Sequence, residues 1–377
     1  MQTKFPAIGT TIFTEMSALA VKHNALNLAQ GFPNFPCNEQ LIELTYLFMK
    51  KGFNQYAPMA GALPLRESIA AKTEKCYGYK PDINDEITIT CGATEAVFST
   101  INAVVSAGDE VIILEPAFDI YKPAIELCGG VAVPVALQGD FFEPDFELIA
   151  KAISSKTKML IINSPHNPTG AVWTNEQMLT LEKLLAPTNI LLLSDEVYEH
   201  IVFDGKRHYS ALEFEGLRKR SFVISSLGKT YHVTGWRVGY VIAPAYLTTE
   251  LKKLHQYVTF SAHTASQLAF AEIMKDENQY LGLSDFFQEK RNHFLAKIED
   301  SKFKAIPSQG TYFQLLSYQS LSDLNDKAYA IELVEKHGLA TIPLSPFYQN
   351  SESKLIRICF AKDEQTLNAA ADILCKI

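Results

Sequence analysis

Lys229 stands where a lysine can act as a nucleophile. It follows the apolar run Phe222-Val223-Ile224 in the stretch Ser226-Leu227-Gly228-Lys229-Thr230, with Gly235-Trp236-Arg237-Val238-Gly239 just beyond. A lysine directly after a buried strand, on a Ser/Gly turn, is held against a core. Burial and nearby cations lower its pKa, and only the neutral amine attacks a carbonyl carbon to form a Schiff base. Arg237 adds a fixed positive charge suited to a phosphate. Taken alone, a lysine is usually a solvated surface residue, so the other polar clusters must decide. Gly92-Ala93-Thr94 offers small residues and free backbone N–H groups at a helix start, a setting for an anion, or a plain helix start capped by Thr94. Asp195 comes directly after Leu191-Leu192-Leu193 and Ser194. A carboxylate there is partly buried and needs a cation or hydrogen-bond donors, unless it simply caps a helix. If Asp195 opens a helix, Tyr198 reaches the same region. Phe118, after the Glu115-Pro116 turn, can stack on a planar ring or serve as a core aromatic.

These residues need a scaffold, and the hydrophobic pattern supplies one. Five short apolar or β-branched runs stand out: Ile87–Cys91, Val111–Leu114, Met159–Ile162, Ile190–Leu193 and Phe222–Ser225. Helical stretches such as Glu95–Ser106 and Glu176–Leu185 lie between them. Near-continuous apolar strands separated by helices predict an α/β fold with a mainly parallel sheet covered on both faces. Val238–Ala243 follows the Lys229 loop too closely for a helical crossover, so it is expected to run antiparallel to its neighbours. Each of the five runs leads into one of the clusters above or into Asn163-Ser164-Pro165-His166-Asn167-Pro168-Thr169-Gly170. In open α/β sheets ligands bind at the carboxyl ends of parallel strands, so the clusters are expected to meet in one crevice.

Composition excludes several classes. The 377 residues, 47% hydrophobic and 20% charged, describe an ordinary soluble globular protein long enough for two or three domains. A net charge of −8 gives no footprint for nucleic acid or for an acidic membrane surface. The six cysteines form no C-x-x-C pair and no Cys/His cluster, so neither a disulfide framework nor a metal site is expected. The N-terminus lacks a signal-peptide core and no apolar run reaches membrane-spanning length, which makes the cytoplasm the default.

Asn167-Pro168-Thr169-Gly170, Asp195-Glu196-Val197-Tyr198 and Ser226-Leu227-Gly228-Lys229 with Arg237 resemble, in order and along nearly the whole chain, the class I/II aminotransferases of pyridoxal-phosphate fold type I. The resemblance implies a large domain with a mainly parallel seven-stranded sheet and a smaller α+β domain. It implies pyridoxal 5′-phosphate held covalently by Lys229, which then moves protons. Asp195 would pair with the ring nitrogen, keeping the ring an electron sink. Asn167 and Tyr198 would bond the phenolic oxygen and Phe118 would cover the ring. Gly92, Ala93, Thr94, Ser226 and Arg237 would hold the phosphate. Asn54-Gln55-Tyr56 with Gly61, Leu65 and Arg66 resembles the segment whose tyrosine reaches the phosphate of the partner subunit, which implies a homodimer with shared sites. Arg357, in Leu355-Ile356-Arg357-Ile358-Cys359-Phe360, resembles the arginine that clamps the substrate α-carboxylate. The guanidinium fork suits that task, although alone it would be read as a structural ion-pair partner.

Asn27-Leu28-Ala29-Gln30-Gly31-Phe32-Pro33, Pro165-His166-Asn167 and Thr234-Gly235-Trp236 resemble the branch holding kynurenine aminotransferases (glutamine transaminase K) and bacterial methionine aminotransferases. That resemblance implies a ping-pong transfer from methionine, with aromatic amino acids and glutamine as further donors, to a 2-oxo acid. Gly31, Phe13, Phe32, Tyr121 and Phe260, with Arg357 and Asn167, are the expected substrate pocket. A β-lyase acting on cysteine conjugates or cystathionine would use the same lysine and fold. A non-catalytic aminotransferase-like regulator is the non-enzyme alternative, opposed by the intact Lys229, Asp195 and Arg357. Two departures stand out: Gly228 where many aminotransferases have serine, and Ser261-Ala262-His263-Thr264 where relatives often have a proline. His263 is expected to be structural or solvated. The expected division is residues 1–42 with part of the small domain, 43–280 as the cofactor domain, and 281–377 as the C-terminal small domain.

Overall fold

The computed structural model describes residues 9–350 and 353–377. Helix α1 (Ile12–His23) starts where the Thr11 hydroxyl accepts from Thr14 N and stops at Asn24, which turns left-handed and returns its N–H to Ala20 O and Val21 O. Strand β1 (Leu26–Asn27), helices α2 (Glu39–Lys50) and α3 (Leu63–Tyr77), strand β2 (Ile87–Thr90) and helix α4 (Gly92–Val104) follow. The chain continues through β3 (Glu110–Glu115), β4 (Val131–Ala136), β5 (Thr157–Asn163), β6 (Leu191–Asp195), β7 (Ser221–Ser226) and β8 (Gly239–Ile242). Strands β2 to β8 make one seven-stranded sheet in the order β2-β8-β7-β6-β5-β3-β4. All pairings are parallel except those of β8, which runs antiparallel to both β2 and β7. The antiparallel direction expected for Val238–Ala243 is therefore observed.

Side chains alternate between the two faces of this sheet, with period two. Ile112, Leu114, Leu160 and Ile162 enter one core with α3 and with Met178, Leu181 and Leu185 of the helix Asn175–Leu185. Val111, Ile113, Met159 and Ile161 enter the other, against Ala96, Val97 and Ile101 of α4. Each such buried aliphatic side chain contributes about 1.5–3 kcal/mol. Strand β4 was not among the expected runs. It is one of the two edge strands, with Val131 half exposed and Pro134 inside it, so it lacks the continuous apolar signature of the central strands. Proline fits there because an edge strand leaves one row of N–H groups unpaired.

A second sheet forms from β9 (Lys304–Ala305), β10 (Phe313–Ser317), β12 (Ile342–Pro343) and β13 (Leu355–Cys359), antiparallel in the order β12-β13-β10-β9. Strand β11 (Leu339–Ala340) pairs in parallel with β1. Ile12, Met16 and Ala20 of α1 pack with Leu315, Ile342 and Leu344 of this sheet, whereas Leu41 of α2 belongs to the large-sheet core. Among the described residues no helix is long and apolar enough to cross a membrane. No group of three His, Cys, Asp or Glu among them is placed to hold a metal ion.

Candidate active site

Strand register brings the polar clusters level. Asn163 pairs with Asp195, Asp195 with Ile224, Ser226 with Gly239, and Gly239 with Thr90. The chain segments that follow these strand ends enclose a cavity of about 300 Å³. Its lining includes Lys229, Asp195, Tyr198, Asn167, Ser226 and Arg237, together with Ala93, Thr94, Phe118, Gly31, Phe13 and Arg357.

Lys229 lies on a single helical turn, Leu227–Thr230, that starts as β7 ends. Its Nζ donates to Gly31 O and to the Tyr312 hydroxyl, each at 3.1 Å. Burial lowers its pKa to about 8, and Arg357 and Arg237 push the same way. Part of the lysine is thus a neutral amine near neutral pH. Gly228 explains one departure from the family pattern: a Cβ there would stand 3.2 Å from Val233 O and from Thr234 Cα, so the turn that follows leaves little room for a serine side chain.

Asp195 is almost fully buried. Its Oδ2 accepts from the Tyr121 hydroxyl at 2.7 Å and its Oδ1 from Val197 N at 3.3 Å. Burial outweighs these bonds and raises its pKa to about 6. No helix follows Asp195. The chain makes turns through 196–200, and Tyr198 reaches the cavity from a turn rather than from the helix considered above. Tyr121 is likewise displaced from the expected substrate pocket: it opens the helix Tyr121–Leu127 and points at the carboxylate of Asp195 from the core side.

The third part of the cavity is cationic. Gly92 has φ +80, and a Cβ on it would stand 2.7 Å from Arg237 Nη2. Only glycine lets the guanidinium press against the start of α4, beside the Thr94 hydroxyl at 3.4 Å. Thr94 does not cap the helix; the N-cap position is Cys91, without a side-chain bond. Backbone N–H groups of a 13-residue helix, a threonine hydroxyl and an arginine make an anion cradle.

Arg357, on β13, is fully buried. It donates to Asn167 Oδ1 at 2.7 Å and to Ala29 O at 3.1 Å, both neutral acceptors, and its Nε has no partner among the described residues. The rings of Phe313, Phe13 and Phe347 lie 3.9, 5.1 and 5.5 Å from its guanidinium carbon. Burial lowers its pKa to about 10, which leaves it charged at neutral pH. A buried cation with an unused donor calls for an anion.

Other expected pocket residues lie elsewhere. Phe32 is 43% exposed, under the Lys362 ammonium. Phe260 is 41% exposed and meets Tyr56, itself 82% exposed, edge-on at 5.4 Å. Neither Tyr56 nor Phe260 lines the cavity of the single chain. His263 caps the helix Thr264–Ile273, its ring accepting from Ser266 N. Tyr312 and Phe313 were missed by the sequence reading. They follow the Ser308-Gln309-Gly310 turn into β10, and the one available signal was an aromatic pair placed closely after a glycine turn.

An amine of lowered pKa, a buried carboxylate that lacks a cation and an anion cradle in one cavity fit a phosphorylated pyridine aldehyde. The sequence profile described as Aminotransferase class I and II matches residues 23–374. The chain belongs to the class I and II aminotransferases. Members of this family depend on pyridoxal phosphate. This aminotransferase is 47% identical to the methionine aminotransferase of Escherichia coli K12, over 99% of this chain and 97% of that protein. It is 32% identical to the kynurenine–oxoglutarate transaminase of Dictyostelium discoideum, over 98% and 95%. A crystal structure from Escherichia coli, identified with a methionine aminotransferase function, superposes with a TM-score of 0.97, 47% identity and coverage of 100% and 99%.

Proposed function

We propose that this aminotransferase takes methionine and aromatic amino acids as donors and passes the amino group to a 2-oxo acid in two half-reactions. One observation carries the reading: the cations lining the cavity are Lys229, Arg237 and Arg357. With the first two assigned to the cofactor, Arg357 is the cation that remains for the substrate among the described residues. Phe13, Phe118, Phe313, Val97 and Val197 line much of the rest, with the uncharged Gln30 and Asn163, so the side chain taken is uncharged and largely apolar. An apolar pocket separates similar side chains by only about 1–3 kcal/mol per methylene, so breadth is expected.

In this reading Thr94, Ser226, Arg237 and the N–H groups opening α4 hold the phosphate. Asp195 would hold the ring nitrogen, Asn167 and Tyr198 would hold the phenolic oxygen, and Phe118 would cover the ring. The bound cofactor supplies an electron sink for the charge left at the substrate Cα. Lys229 would hold the cofactor through its amine, and that amine is also the group placed to take the proton from the substrate Cα. Arg357 and Gly31 fix the α-carboxylate.

The domain boundaries we adopt fall near residues 42 and 280, with α1 assigned to the small domain. The exposed Tyr56, Phe260 and Tyr257, the last 85% exposed, support a homodimer in which Tyr56 serves the partner's phosphate. Mixing Tyr56→Phe with Lys229→Ala chains tests it, since a shared site regains activity in mixed dimers and an unshared one does not. All six cysteines are free, which supports a reducing, cytoplasmic setting.

Absorbance of the purified protein between about 360 and 430 nm, with and without methionine, tests the function through the cofactor chromophore. A band that shifts with methionine and returns with a 2-oxo acid supports transamination. Release of pyruvate and a thiol from a cysteine conjugate points instead to β-lyase chemistry. A chromophore indifferent to every amino acid refutes the substrate assignment.

A further inference from the structure

Four consecutive backbone carbonyls, from Ala29 to Phe32, each accept a hydrogen bond from a cation. Arg357 takes Ala29 O at 3.1 Å. Lys229 takes Gly31 O at 3.1 Å, shared with the Tyr312 hydroxyl at 2.7 Å. Lys362 takes the other two, Phe32 O at 2.7 Å and Gln30 O at 3.4 Å. Lys362 follows β13 by three residues and is 2% exposed. Its ammonium lies 4.7 Å from the Phe32 ring, and its hydrogen bonds go only to these carbonyls. Burying an ammonium is costly unless it is fully bonded. Here carbonyl dipoles provide the bonding, and burial still lowers its pKa.

The same loop is fastened on its other side. Asn27 Oδ1 accepts from Ala29 N and Gln30 N, and Gln30 Nε2 donates to Ser17 Oγ and Phe13 O of α1. Two of the three cations have other duties in the function proposed above, on which this inference rests: Lys229 joins the cofactor and Arg357 takes the substrate carboxylate. Lys362 lines no part of the cavity and, among the described residues, has no competing partner.

We propose that Lys362 is a positioning residue: it holds the Gln30–Phe32 loop, and with it Gly31, in place for the substrate α-carboxylate once Lys229 and Arg357 have turned to cofactor and substrate. A lysine that served only to stabilise the fold would affect melting and expression without singling out the binding of carboxylates.

The test compares the cofactor-loaded wild type with Lys362→Met and Lys362→Arg. KM is measured for a neutral donor and for a 2-oxo acid, along with kcat and the thermal midpoint. Binding of desamino-methionine, a carboxylate that cannot react, is measured by calorimetry. For Lys362→Met, both KM values and the Kd of the unreactive carboxylate rise about tenfold, as for one charged hydrogen bond lost, while kcat stays within about twofold. Arginine, which keeps the charge and can reach the same carbonyls, restores most of the binding. Unchanged KM and Kd, a fall in kcat alone, or arginine as poor as methionine overturns the proposal. Where Lys362→Met does not fold, Lys362→Gln, which keeps a donor without the charge, is judged by the same values. A wild type with no transamination of any amino acid refutes the functional reading and this inference with it. A normal wild type with an unaffected Lys362 variant refutes the inference alone.

Discussion

Asp195 allows a stability argument that runs opposite to its role. In the cofactor-free protein this carboxyl is 4% exposed, and its pKa is raised from 3.8 to about 6. The folded state therefore binds more protons than the unfolded one between these values, so stability falls as pH rises through that window. At 1.36 kcal/mol for each tenfold change in proton affinity, the ionised side chain costs about 3 kcal/mol at pH 8. An asparagine side chain in its place is neutral, of the same shape, and still able to accept from Tyr121. Asp195→Asn should thus stabilise the cofactor-stripped protein by about 3 kcal/mol at pH 8, by about half of that at pH 5, and by almost nothing below about pH 3. Urea unfolding of the stripped wild type and variant at these pH values reads the difference directly. The same variant should bind the cofactor more weakly, because a neutral amide cannot pair with a cationic ring nitrogen. A variant less stable than wild type at pH 8, or a gain that does not change with pH, would refute the claim that burial of this carboxylate is unfavourable until the cofactor arrives.

Lys229, lowered from 10.5 to about 8 by burial, gives a kinetic counterpart. Uptake of pyridoxal phosphate by the stripped enzyme, followed by stopped-flow absorbance, should accelerate as pH rises through about 8 and level off near 9; a rate still climbing at pH 10 contradicts the lowered pKa. Arg357→Lys keeps the charge but loses the fork that spans Asn167 Oδ1 and Ala29 O. Steady-state kinetics should show kcat/KM falling about a hundredfold, chiefly through KM for both amino acid and oxo acid, as for one or two charged hydrogen bonds. A loss confined to kcat would place Arg357 outside carboxylate binding.

The sheet was legible because its strands are apolar on both faces, as in β3, β5 and β7, or β-branched throughout, as in β2. Hence Ile87–Cys91 through Phe222–Ser225 announced themselves, and so did the residues that follow them. Strand β4 was illegible for the matching reason: at the edge, half its surface is open, and Pro134 interrupts the run. Lys229, Asp195, Tyr198 and Arg237 stood out before the fold was known because each follows a strand among suitable local residue types, whereas Asn167 and Arg357 were named through the family resemblance. What surrounds them could not. That Tyr121 turns toward Asp195 and does not line the cavity depends on how one short helix seats against the strand end. That Tyr312 and Lys362 grip the Gly31 loop depends on bringing together residues 281 and 330 positions apart. Sequence by itself determined the fold class and the reactive groups, since apolar periodicity and local chemistry are written along the chain. Only the tertiary structure decided which buried groups press on one another, because burial, and the pKa shifts of Lys229 and Asp195 that follow from it, are properties of packing between distant segments.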